Sequence, residues 1–292
     1  YLGLHFGEVV WTQNYIPNPN RYYDNFGNKD DVNFYAKISQ DVDSKLNLFV
    51  DLQLSGQLTQ PETTEQIFAL PLHTQQQLQK LLNINDDIEQ RTKVVLQLIF
   101  SYAEAGLLYD NGATKTATET IASGKANCLS LSILTYSMAK QLGMNPVFQD
   151  VQIPEYWTSV LRQTWLNGHV NVRLKQNRHT EGASGFVLLG RDMVVDFDPY
   201  SLKKQFPEKT INQQRIVAMF HNNKAAAAYA EGNLANAYNY YKAAATADPS
   251  FAVTWSNLGV LYRQQGLNAL AEKSYRHSLA LDPDSTNTLA NL

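Results

Sequence analysis

"GKANCLSLSILTYSMAKQLGM", residues 124–144, holds the only cysteine of the 292-residue chain, Cys128. Behind it stand Gly124, Lys125, Ala126 and Asn127. Ahead runs a segment that is apolar on nearly every side: Leu129, Leu131, Ile133, Leu134, Tyr136, Met138 and Leu142, with Ser130, Ser132 and Ser137 between them. A helix apolar all round is buried in the middle of a domain, so residues 127–142 are predicted to form a central helix that Gly143 closes. A cysteine in its first turn meets backbone N–H groups that lack intrahelical acceptors, and the positive end of the helix dipole. Both favour thiolate over thiol. The same N–H groups could receive the oxyanion of a tetrahedral intermediate. The other reading of Cys128 is a small hydrophobe filling core space, and its partners decide between the two.

A nucleophilic cysteine needs a histidine as base and a third group to orient that histidine. After Gly143 the period of the sequence changes from helical to alternating. "PVFQDVQI" (146–153), "HVNVRL" (169–174), "GFVLLG" (185–190) and "MVVDF" (193–197) read as strands, with a turn at "GRD". In "HVNVRL", Val170, Val172 and Leu174 share one face while His169, Asn171 and Arg173 share the other. Of the six histidines, His169 is therefore singled out, because it opens a strand on its polar face and is followed by a hairpin that ends in "VVDFDP". There Asp196 and Asp198 lie on one face, and a neighbouring strand would bring either within reach of His169. Cys128 is then expected within hydrogen-bond reach, or about 4 Å, of one ring nitrogen, with Asp196 or Asp198 at the other.

These three pieces, "NCLSLSILTYSMAKQLGMNPVFQ", "GHVNVRL" and "MVVDFDP", resemble the core of the transglutaminase-like superfamily. The resemblance covers about 124–200 and implies that Cys128 is the nucleophile, His169 the general base and acid, and an Asp the orienting group. Val195-Asp196 followed by Pro199 fits the pattern best, with Asp198 as the alternative. The chain departs from the family at Leu129, where animal transglutaminases have an aromatic, and at Val170, where a Trp is usual. Substrate type and metal dependence are therefore not carried over. "NINDDIE" (83–89) lacks the ligand spacing and glycine of a calcium loop, so no metal and no cofactor is assigned. Asn127, beside the nucleophile, is a candidate to face substrate. Trp157 and Trp165 in "IPEYWTSVLRQTWLNG" either line an acyl-binding cleft or staple a loop.

Upstream, residues 1–45 are rich in Tyr, Asn and Asp and read as loops, and residues 74–109 read as helix. Residues 1–210 are thus predicted to form an α+β domain, with helices first and an antiparallel sheet after. Residues 215–292 differ. Sliding the sequence by 34 residues aligns Gly232 with Gly266, Ala237 with Ala271, Tyr241 with Tyr275 and Asp248-Pro249 with Asp282-Pro283. With Trp255, Leu258, Gly259 and Tyr262 in the second copy, this spacing is similar to tetratricopeptide repeats at about 218–251 and 252–285. A third copy starts at Thr286, so either the natural chain continues or a short helix after 285 caps the stack.

A net charge of −3 and a pI near 6.1, with no long basic run, argue against nucleic acid or an anionic membrane as partner. One cysteine excludes an internal disulfide and a cysteine-rich metal cluster. No apolar stretch is long enough to span a bilayer. The start at Tyr1 leaves open both an exported protein, its signal peptide removed, and a cytoplasmic one. Two functions compete. The first is a thiol enzyme that attacks a protein or peptide amide, by hydrolysis or by transfer to an amine, with the repeats docking a partner or substrate in their groove. The second is a non-catalytic scaffold in which the repeats act alone. A thiol that only senses oxidation is a third reading.

Overall fold

The computed structural model describes residues 59–82, 88–104, 108–160, 163–175, 192–197, 204 and 206–292, together with the short strands β1 (Glu8–Val10), β2 (Ala36–Lys37) and β3 (Asp51–Leu52). The predicted strand 185–190 and the turn after it lie outside the described residues. The fold is mixed helix and sheet. Among the described residues, one compact unit holds 62–156 and 167–220; the other holds β1–β3, 157–166 and 221–292.

In the first unit, the stretch predicted as helix over 74–109 is two helices, α2 (Leu72–Leu82) and α3 (Ile88–Glu104), preceded by the short α1 (Thr64–Phe68). Next come β4 (Leu108–Tyr109), α4 (Ala117–Ser123) and β5 (Lys125–Ala126), then the central helix α5 (Cys128–Gln141). Helix α4 starts in a capping box: Thr116 Oγ1 accepts from Glu119 N, and Glu119 Oε2 accepts from Thr116 N. It ends at Gly124, whose φ of 61° is a left-handed conformation that costs a side-chain-bearing residue more than glycine. That turn sends Lys125 and Ala126 into a parallel pairing with β4, and the chain reaches Asn127 at the start of α5.

Helices α1–α4 pack around α5. Leu129, Ile133, Leu134 and Met138 are fully buried, each contributing about 2 kcal/mol over an exposed position. Gly143 follows the last turn with φ 65°, the closing role expected of it.

The sheet is four strands wide. Strand β6 (Asn145–Val160) lies between β7 (Gln163–Lys175) and β9 (Glu208–Ile211). On the outer side of β7, β8 (Met193–Val195) pairs at one end and β1 at the other, both antiparallel. Strands β6 and β7 are longer than the predicted 146–153 and 169–174.

The second unit is helical: the later part of α6 (Gln213–Ala230), then α7 (Leu234–Ala247), α8 (Ala252–Gln264), α9 (Asn268–Leu281) and α10 (Thr286–Asn291). The short helix expected after residue 285 is α10, capped by Ser285 and packed against α8 and α9. Gly259 lets α9 approach α8, because a Cβ there would fall inside the ring of Tyr275.

Candidate functional site

Asn127 is the N-cap of α5. Its Oδ1 accepts from Ser130 N at 2.9 Å, and its Nδ2 donates to Thr114 Oγ1 at 2.9 Å. The side chain is fully buried and caps the turn from which Cys128 opens the helix. Ser130 N is thereby satisfied. The N–H groups of Cys128 and Leu129 belong to the helix start, where no intrahelical acceptor exists.

One turn into α5, Ser132 Oγ donates to the carbonyl of Val170 at 3.2 Å. This tether joins the cysteine helix to β7 at the residue next to His169. Along β7, Val170, Val172 and Leu174 alternate with His169, Asn171 and Arg173, and the strand is buried on both faces from His169 to Val172.

The β7–β8 register pairs Val172 with Val195. One step further, Asn171 stands opposite Asp196, and His169 is the diagonal neighbour. From that diagonal the Asp196 carboxylate accepts from His169 Nε2 with both oxygens, at 2.7 and 2.8 Å. The side chains are 0% and 2% exposed, so the pair is out of water. Asp198, the alternative orienting group, lies outside the described residues.

With Nε2 taken, Nδ1 is the other face of the ring. It is buried and has no hydrogen-bond partner among the described residues. Burial disfavours a charged imidazole. The hydrogen bond with Asp196 and the neighbouring Cys128 outweigh it, and the pKa of His169 rises from 6.5 to about 9. Cys128 itself is fully buried. Nδ1 meets no partner at full hydrogen-bond geometry, yet Cys128 lies close enough that both its hydrogen-bonding and its charge interaction with the ring help raise the pKa of His169.

Sequence reasoning missed the polar layer behind this pair. Asn171 Nδ2 donates to Asp196 Oδ2 at 3.1 Å and to Glu208 Oε1 at 3.2 Å. Arg173 and Gln149 bond Glu208 in turn, at 2.6 and 2.8 Å. The signal for Asn171 was present in its position two residues after His169 on the same strand face. Glu208 carried none, because β9 joins the sheet from more than 30 residues away.

Trp165 belongs to the second unit. It is buried in the second, within a cluster that includes Tyr229, Tyr238, Trp255 and Leu258. Trp157 is half-buried in the same unit. Of the remaining histidines, His221 is buried and tilted against Tyr240, and His277 meets Trp255 edge-on at 4.8 Å.

That cluster is built on the Trp255, Leu258, Gly259 and Tyr262 series, and there the comparisons with known proteins are specific. Residues 252–285 match the tetratricopeptide repeat model. The match spans α8 and α9, and the repeat supports a role in protein–protein interaction. No curated protein and no solved structure matches the chain. Among the described residues, no helix is long and apolar enough to cross a membrane.

Proposed function

We propose that Cys128, His169 and Asp196 are the nucleophile, base and orienting group of a transglutaminase-like thiol enzyme that acts on a protein or peptide amide, with the tetratricopeptide repeats docking a protein partner or substrate. One observation carries this reading. The Asp196 carboxylate holds one nitrogen of a buried histidine, leaving the other unbonded beside the chain's sole cysteine, at the start of a helix.

In the proposed reaction the proton given up by Cys128 is already held on His169 Nδ1, as a ring protonated at neutral pH requires, and the sulfur attacks the carbonyl carbon. The oxyanion that forms is received by backbone N–H groups at the start of α5. Collapse of the tetrahedral intermediate breaks the C–N bond, and the leaving amine takes the proton from Nδ1. A thioester remains. His169 then draws a proton from water, which attacks the thioester and releases the acid and the thiol. Hydrolysis is the favoured outcome, because water is always at hand, whereas an acyltransferase must shield the thioester and bind an amine. Asp196 keeps the ring aligned and stabilises its positive charge throughout.

Full burial of Cys128 and His169 favours a second reading, in which the domain is an inert scaffold and the repeats act alone. Alkylation separates the two. Cys128 of the intact chain is treated with iodoacetamide across pH, with and without His169→Ala. The enzyme reading expects a rate that depends on His169. A profile like that of an ordinary thiol, indifferent to the substitution, overturns it. Mass spectrometry of a peptide mixture exposed to wild type or Cys128→Ala then reads the reaction, as new cleavages, deamidations or amine adducts.

A further inference from the structure

We propose that Asn171 and Glu208 are positioning residues that hold the Asp196 carboxylate against His169. The proposal rests on the triad reading above and adds two residues to it.

Asp196 follows the last residue of the three-residue strand β8, which pairs with β7. Its aim at a diagonal neighbour is set by the groups that bond its carboxylate. Asn171 stands directly across from it and donates to the oxygen that also accepts from His169. The same amide donates to Glu208, which reaches over β6 from β9. Asparagine suits the place because one NH₂ group supplies two donors and no charge. An acid there would set three carboxylates together. An apolar residue would remove a donor from each of two partly buried acids.

The charges around this chain of bonds alternate. His169 lies at one end, followed by Asp196, the neutral Asn171, Glu208 and then Arg173, which bonds Glu208 through Nη2 and Gln149 through Nε. Glu208 is thus neutralised from the side away from Asp196. Among the described residues, Cys128 of α5 also acts on His169, and Asp150 of β6 feels the charge of His169 together with Lys209 and Arg215.

The test uses the full chain as wild type, Asn171→Leu, Glu208→Leu and Glu208→Gln, each checked by circular dichroism and thermal melting. The readouts are the pH profile of Cys128 alkylation by iodoacetamide and the titration of the His169 ring by NMR. Asn171→Leu and Glu208→Leu are expected to slow alkylation at neutral pH about tenfold and to move the His169 titration to lower pH, as loss of a bond to a charged group would. Glu208→Gln keeps an oxygen for Asn171 and should stay within about twofold of wild type. Glu208 is partly exposed, so its variants carry the test should Asn171→Leu fail to fold. Variant profiles that overlay the wild type, while the wild type still depends on His169, overturn the positioning role and leave the triad standing. A wild-type profile indifferent to His169→Ala overturns both.

Discussion

Asp196→Asn isolates the charge that sets the state of His169. The substitution keeps the size of the side chain and removes its anion. In the wild type the buried imidazole would, by burial alone, titrate below its ordinary 6.5; the Asp196 bonds, with Cys128 beside them, lift it to about 9. A rise of that size corresponds to about 3 kcal/mol of coupling between protonation and folding. The sign follows from the direction. A pKa raised in the folded state stabilises the fold fully below the unfolded value near 6.5, and the contribution is lost as pH climbs through about 9. Urea unfolding of wild type and variant at pH 6 and pH 9.5 measures it. The wild type should lose about 3 kcal/mol more than Asp196→Asn over this interval, because the variant has little left to lose. NMR of the His169 ring should find the wild type protonated at neutral pH and the variant largely neutral. A wild-type ring that titrates near 6.5, or one whose titration the variant does not move, would refute the reasoning.

Three further outcomes are expected. Gly259→Ala pushes a methyl into the ring of Tyr275 and should destabilise the repeat by about 1–3 kcal/mol, read as a lower melting temperature for the helical signal. Ser132→Ala removes the tether to Val170 and should cost about 1 kcal/mol in urea unfolding; an unchanged stability would mean that the bond does not hold the helix to the strand. Thr116→Ala breaks the capping box of α4 just ahead of the cysteine turn and should also cost about 1 kcal/mol, with Thr116→Ser recovering most of it.

Local pattern made much of this molecule readable from sequence. Helix α5 was legible because its apolar residues occupy every face, a composition that only a central helix tolerates. Strand β7 was legible through its alternation, and the tetratricopeptide repeat at 252–285 through a fixed period. The two tryptophans were read from their neighbourhood on the chain, which does not give the burial of Trp165 beside Trp255 and Leu258. Strand β7 begins earlier than the predicted strand and includes Trp165, which belongs to the second unit's cluster. Asn127 was singled out because it adjoins Cys128; its part as the cap of a buried helix start needed the structure.

By itself the sequence determined the central helix, the strand that carries His169 and the tetratricopeptide repeat at 252–285, because periodicity, capping and glycine placement act over a few residues. Only the tertiary structure decided which carboxylate meets His169, which ring nitrogen is left over, and that Asn171 and Glu208 stand behind the pair. Those facts depend on strand register and on contacts between segments far apart in the chain, where one residue of slip would exchange every partner.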